Sequence, residues 1–132
     1  MKISINNNNP IKIDAEFSEG INVIYGYSGT GKSFMFSRIN DYYANSTEYK
    51  VSLIDYHYYN KAESIIIDFC RGSDLVLLDN ADLYITHSLI DMLLKECKCI
   101  VISMKNTLFF DKNEANELSV EYINHHIRTI QR

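Results

Sequence analysis

One short stretch of this chain has residue types at a spacing that can do chemistry. Gly26-Tyr27-Ser28-Gly29-Thr30-Gly31-Lys32-Ser33 fits the pattern G-x-x-x-x-G-K-[ST], the spacing of a phosphate-binding loop. Glycines at 26, 29 and 31 admit backbone conformations closed to residues with side chains, so the chain can wrap around a phosphate. The N–H groups of residues 29 to 33 then converge on an anion at a helix N-terminus. Lys32 is expected to reach the β- and γ-phosphates, and Ser33 to offer its hydroxyl to Mg²⁺. The expected nucleotide-binding residues are Gly26, Ser28, Gly29, Thr30, Gly31, Lys32 and Ser33. At average residue usage the pattern arises by chance in roughly one chain of this length in two hundred.

A second element fits beside it. Leu75-Val76-Leu77-Leu78 is a continuous apolar run that ends in Asp79. Such a run reads as a strand buried on both faces of a parallel sheet. A carboxylate at its end can lie beside the loop and hold Mg²⁺ through water. Lys32 and Asp79 are therefore the residues expected to carry catalysis, and Ser33 and Asp79 those expected to serve the metal.

The elements that must position these groups are readable from periodicity. Ile3 and Ile5, then Ile11, Ile13, Ala15 and Phe17, alternate with other residues as two strands around an Asn6–Pro10 turn, an N-terminal antiparallel hairpin. Residues 21–25 form an apolar strand before the loop, and Ser33 to about Tyr43 a helix after it. Residues 51–54 and 99–102 read as further strands. Lys61 to Arg71 reads as a helix or, for its Ile65-Ile66-Ile67 run, a strand, and helix is favoured because Gly72 then supplies the stop. Thr86 is the predicted N-cap of a helix carrying Leu89, Ile90, Leu93 and Leu94. Lys105 to Glu117 reads as a polar surface loop. Residues 120–123 and 127–130 alternate around Asn124-His125-His126 as a terminal hairpin. Strands alternating with helices imply an α/β fold with a mostly parallel sheet, the hairpins adding antiparallel strands at its edge.

Composition bounds the rest. The chain has 132 residues, 46% hydrophobic and 23% charged, with one proline. That suits one domain spanning 1–132 and excludes a separate substrate domain. The net charge of −4 gives no footprint for non-specific nucleic-acid binding. Three cysteines, Cys70, Cys97 and Cys99, are an odd number without zinc-site spacing, and are expected to be buried or idle thiols. The first residues lack the apolar core of a signal peptide, and no apolar run exceeds four residues. A cytoplasmic chain with no membrane association is expected.

The segment Phe17 to Ser33 resembles the start of P-loop ATPase domains, in particular the ABC and chromosome-maintenance-like ATP-binding domains. Leu75 to Asp79 is similar to their Walker-B strand. Cys99 to Ser103 is similar to the strand that in those domains slots between the loop strand and the Walker-B strand. The resemblance implies a three-layer P-loop fold, with ATP and Mg²⁺ as cofactors. It also exposes departures. Asn80 stands where the family carries an acidic residue, usually Glu, that polarises the attacking water. Asn cannot take a proton, so general-base help on the order of 10²–10⁴-fold is missing. Asp82, two residues further on, is the alternative base. Met104 follows Ser103 where the family has His, and Asp55 stands where it has glutamine. The 45 residues between Ser33 and Asp79 leave no room for the helical subdomain that carries the Leu-Ser-Gly-Gly-Gln signature.

These departures point to ATP binding with weak or partner-dependent hydrolysis. The alternative is a nucleotide-gated interaction module without significant turnover. Two lesser alternatives stand behind it. Asn60-Lys61-Ala62-Glu63 is similar to the Asn-Lys-x-Asp guanine reader of GTPases, with Glu for Asp and before the Asp79 strand instead of after it. A small nucleotide-dependent kinase would need more cations than Arg38, Arg71, Arg128 and Arg132 supply. Ten tyrosines, clustered at 42–43 and 56–59, suit a protein interface or an oligomer better than single-stranded nucleic acid on an acidic chain. His125-His126 is expected to be solvent-exposed and not to hold a metal.

Overall fold

A computed structural model describes residues 1–6, 10–26, 31–58 and 60–132. The centre of the Asn6–Pro10 turn and Tyr59 lie outside the described residues. The chain runs β1 (Lys2–Ile5), β2 (Lys12–Glu16), β3 (Gly20–Tyr25), α1 (Lys32–Tyr43), β4 (Val51–Ile54), α2 (Glu63–Cys70), β5 (Leu75–Leu78), α3 (His87–Glu96), β6 (Cys99–Met104), β7 (Asn116–Ile123) and β8 (His126–Gln131). Short 3₁₀ turns at Tyr56–Tyr58 and Ala81–Leu83 follow β4 and β5. Local signals explain the boundaries. Thr86 caps α3 as expected, its Oγ1 accepting the Leu89 amide at 3.0 Å. Gly72, at φ 78°, takes the chain out of α2. α2 is shorter than the expected 61–71, because Ala62 before it and Arg71 after it are both extended.

Eight strands form one curled mixed sheet in the order β1-β2-β8-β7-β3-β6-β5-β4. The run from β7 to β4 is parallel throughout. β6 lies between β3 and β5, and every residue of β5 and β6 is buried. Alternate residues of these strands supply two cores. On one face Val23, Val76, Leu78, Ile100 and Ile102 pack with Ile66 and Ile67 of α2 and Leu89, Ile90 and Leu93 of α3. On the other, Ile24, Leu75, Leu77 and Val101 pack with Met35, Phe36 and Ile39 of α1. The same cluster takes Ile5, Ile13, Leu118 and Ile127, so the sheet curls around α1.

The hairpins sit differently from the expectation. Both would add strands at an edge, yet only the N-terminal pair does, with β1 outermost. The C-terminal hairpin is inserted between it and β3, because β7 pairs in parallel with β3 and β8 in parallel with β2. Its turn needs two residues, Asn124 and His125, both at positive φ (53° and 60°), the conformation of a two-residue turn matched to strand twist. The segment expected as a surface loop, Lys105 to Glu117, is partly anchored. Phe110 is buried, Phe109 stacks on His87 with ring centroids 4.1 Å apart, and β7 already begins at Asn116.

A buried asparagine locks this insertion. Asn22 is fully buried in β3. Its Oδ1 accepts from the Ser18 amide (2.9 Å) and from Asn116 Nδ2 (3.1 Å), and its Nδ2 donates to the Ser18 (2.8 Å) and Ile100 (3.2 Å) carbonyls. One side chain thus ties β3 to β6 and to the start of β7. Asn22→Ala should cost about 2 kcal/mol in a denaturant melt, because it strands buried polar groups that have no water to turn to.

His126 is not merely exposed: its Nε2 lies 2.6 Å from Asp14 Oδ2 across the β2–β8 pair. The Ser4 hydroxyl on Asp14 Oδ1, aided by His126 and Lys12, holds the Asp14 carboxyl below its ordinary value of 3.8 against a desolvation push in the other direction. A carboxyl lowered on folding stabilises the fold above 3.8 and loses that contribution as pH falls through its lower folded value. Asp14→Asn should therefore lower the melting temperature at neutral pH, with the difference from wild type shrinking below pH 3.8.

Candidate functional site

Parallel strands end together, so β3, β6, β5 and β4 deliver their C-terminal residues to one edge of the sheet. Tyr25 is level with Met104, and Leu78 is level with both Ile102 and Ile54. The residues that follow those ends are Gly26, Lys105, Asp79 and Asp55. Gly26, Gly31, Lys32, Ser33 and Asp79 are described, whereas Ser28, Gly29 and Thr30 lie outside the described residues.

The two described loop glycines both hold positive φ, 134° at Gly26 and 90° at Gly31. A side chain at Gly31 would be strained by the backbone and would also meet Tyr122 Cδ2 at 3.3 Å and Ile127 Cδ1 at 3.4 Å. The C-terminal hairpin therefore presses directly on the end of the loop. α1 starts at Lys32, one residue before the expected Ser33, and its first-turn amides have no acceptors within the helix. They point, with the positive end of the helix dipole, toward the loop.

Lys32 is buried, at 6% exposure. Its Nζ lies 3.4 Å from where a Cβ on Gly26 would sit, so the ammonium is folded back over the first glycine. Burial pushes its pKa below the ordinary lysine value. The Asp79 and Asp82 carboxylates act against that shift and the Lys105 ammonium acts with it. Ser33 is exposed at the helix start.

Asp79 is 8% exposed. Its amide donates to the Ile54 carbonyl at 2.8 Å, and its Oδ1 accepts the Asn80 amide at 3.1 Å. Its second carboxylate oxygen accepts no hydrogen bond among the described residues. The Tyr84 hydroxyl donates its one proton to the Asp79 carbonyl (2.6 Å) and lies within reach of the Ile54 carbonyl (3.1 Å). Tyr84 is buried, and desolvation, with nearby carboxylates, raises its phenol pKa. Asp82 is held in a structural role. Its two oxygens accept the Lys105 (2.8 Å) and Asn106 (3.0 Å) amides, clamping the segment after β6. Asp55 Oδ1 accepts the His57 amide at 3.0 Å and lies 2.8 Å from His57 Nδ1.

Beyond Gly26 a cleft of about 350 Å³ opens, lined by Tyr25, Lys105, Thr107, Glu117, Leu118 and Arg132. Sequence reasoning missed Tyr84, Tyr122, Ile127 and Lys105. Tyr122, Ile127 and Lys105 come near the loop only through tertiary pairing, Tyr84 follows Asp79 by five residues, and no short-range pattern marks any of them. The Asn60–Glu63 segment follows β4 and leads into α2, and its Glu63 carboxylate accepts the Thr86 hydroxyl at the start of α3. Cys70, Cys97 and Cys99 are free and buried, and burial pushes the thiols of Cys70 and Cys99 up to about 12 and about 11.

Among the described residues no group of three or more His, Cys, Asp or Glu gathers around one point. Nor is any described helix long and apolar enough to cross a membrane. No protein-family model matches this chain, and no curated protein does. Among solved structures it is similar to a DNA replication initiation factor, with a TM-score of 0.57 and 16% identity. The two share a fold. The likeness covers 80% of this chain but only 41% of that one.

Asn80 has a local reason to be Asn. It sits at φ 50°, ψ 45°, between β5 and the 3₁₀ turn. Among residues with side chains, Asn and Asp tolerate that left-handed region best. Denaturant melts should show Asn80→Glu less stable than Asn80→Gly by about 1 kcal/mol.

Proposed function

We propose that this chain is a P-loop nucleotide-binding protein that holds Mg-ATP and hydrolyses it weakly or only with a partner. The observation that carries the reading is the buried Lys32 ammonium at the start of α1, folded over Gly26 and close enough to Asp79 for that carboxylate to favour its charged form. A desolvated cation beside a helix N-terminus is what a phosphate chain would neutralise. Supporting it, the strand order from β7 to β4 runs in parallel, with helices on both faces and the loop at the strand ends. Ligands of open α/β sheets bind at such ends.

In this reading Lys32 takes the β- and γ-phosphates, and the first-turn amides of α1 take the oxygens beside them. The donor set suits Mg²⁺. A carboxylate with one oxygen uncommitted and a serine hydroxyl are hard oxygen ligands, and Mg²⁺ at phosphates needs only one or two protein groups. Ser33 and Asp79 would hold it, Asp79 directly or through water. Mg²⁺, when bound, would supply positive charge that offsets the charge of the phosphates. Asn80 supplies no base, and Asp82 is committed to two backbone amides, so this chain offers little to deprotonate water.

The second reading is the nucleotide-gated interaction module. It is favoured by exposed apolar side chains on one side of the sheet, Ile65 and Phe69 of α2 and Tyr56 beside β4, with the Tyr58 ring 5.9 Å from that of Phe69. A protein partner or a second copy fits them better than nucleic acid on a chain of net charge −4. Three free, buried thiols suit the reducing cytoplasm.

Calorimetry tests the binding reading. Wild type should bind Mg-ATP, and Lys32→Ala should weaken it about 10–100-fold, the worth of a charge-assisted contact. Asp79→Ala should remove the gain that Mg²⁺ gives. Multiple-turnover phosphate release would favour the enzyme, and retained ATP the module. No heat at millimolar Mg-ATP would sink both.

A further inference from the structure

We propose that Tyr84 is the positioning residue for Asp79, holding that carboxylate in the orientation from which it serves the metal of a bound Mg-nucleotide. The proposal rests on the nucleotide reading above and deepens it. Asp79 lies where the chain leaves β5 and turns through the left-handed Asn80. A strand end of this kind frays unless its last carbonyls find donors. The Ile54 carbonyl already accepts the Asp79 amide at 2.8 Å. For the Asp79 carbonyl the donor is the Tyr84 hydroxyl, at 2.6 Å, which also reaches the Ile54 carbonyl at 3.1 Å.

The phenol comes from five residues down the chain, just past the Ala81–Leu83 turn, and its ring is buried in the core with α2 and α3. Its position is therefore set by packing and not by the site. Fixing the Asp79 carbonyl fixes the peptide plane between Asp79 and Asn80. That plane carries the Asn80 amide, which donates to Asp79 Oδ1. The hydroxyl thus orients the carboxylate through one intervening peptide, and leaves the second oxygen to face the metal. A leucine or phenylalanine at 84 would fill the same core. Only the hydroxyl reaches the strand ends.

Tyr84→Phe isolates the hydroxyl and keeps the ring. Mn²⁺ serves as the probe, titrated by calorimetry and by water-proton relaxation into protein saturated with ATP. Mn²⁺ affinity should fall about 10-fold, the usual scale for losing a group that orients a metal ligand. ATP binding in EDTA should stay unchanged. Mn²⁺ affinity within twofold of wild type overturns the proposal. So does an equal loss of ATP binding with and without metal, which would mark a general structural role. Amide hydrogen exchange on the ligand-free protein provides an independent arm. Tyr84→Phe should speed exchange at Asp79 and Asn80 and leave β6 amides alone, and unchanged rates at Asp79 and Asn80 overturn the positioning role. If wild type binds no Mg-nucleotide, the nucleotide reading fails and takes the metal role with it. The exchange result still decides separately whether the hydroxyl holds Asp79.

Discussion

β6 is the constraint on which the other parts depend. All of its residues from Cys99 to Met104 are buried, and it is hydrogen-bonded on one side to β3 and on the other to β5. A strand in that position can be neither short of partners nor polar, because its backbone groups have only its neighbours to bond and its side chains only two cores to enter. Pairing in parallel, it forces β3 and β5 to end at the same edge. Gly26 and Asp79, 53 positions apart in the chain, therefore finish with one strand between them. For that reason the Asp79 carboxylate opposes the downward push that burial gives the Lys32 pKa.

Around that edge, packing fixes what hydrogen bonding leaves open. Gly31 is held between α1 and the C-terminal hairpin, whose Tyr122 and Ile127 leave no room for a side chain. The turn after β5 is fixed by three separate groups. Asn80 supplies the left-handed backbone, Tyr84 ties the turn to β4, and Asp82 ties it to the segment after β6. Asn80 thus serves two demands at one position. The left-handed backbone favours Asn, and a hydrolytic base would require Glu. The residue present meets the first and not the second.

Much of this was legible in the chain itself. Period-two alternation placed β1 and β2, the unbroken apolar runs placed β5 and β6, and Thr86 marked the start of α3. These signals are local: each depends on residues within a turn or two and on whether one face or both are buried. The spacing of Gly26, Gly31, Lys32 and Ser33 is local in the same sense, since a loop that opens a helix is specified by its own glycines.

Other features were decided only by the fold. The C-terminal hairpin reads as a hairpin from its alternation, but nothing in residues 116–131 says that it inserts between β2 and β3 instead of adding to an edge. That choice is made by contacts more than 90 positions apart, such as Asn22 with Asn116 and Asp14 with His126. Asp82 reads as an alternative base and Tyr84 carries no signal until the fold brings the Lys105 and Asn106 amides and the Ile54 carbonyl beside them. By itself the sequence determined where most strands and helices lie and where a glycine-rich turn opens a helix, because those depend on side-chain type and short spacing. Only the tertiary structure decided which strands are neighbours and which side chains bond the turn after β5, because both follow from burying two faces of one sheet at once.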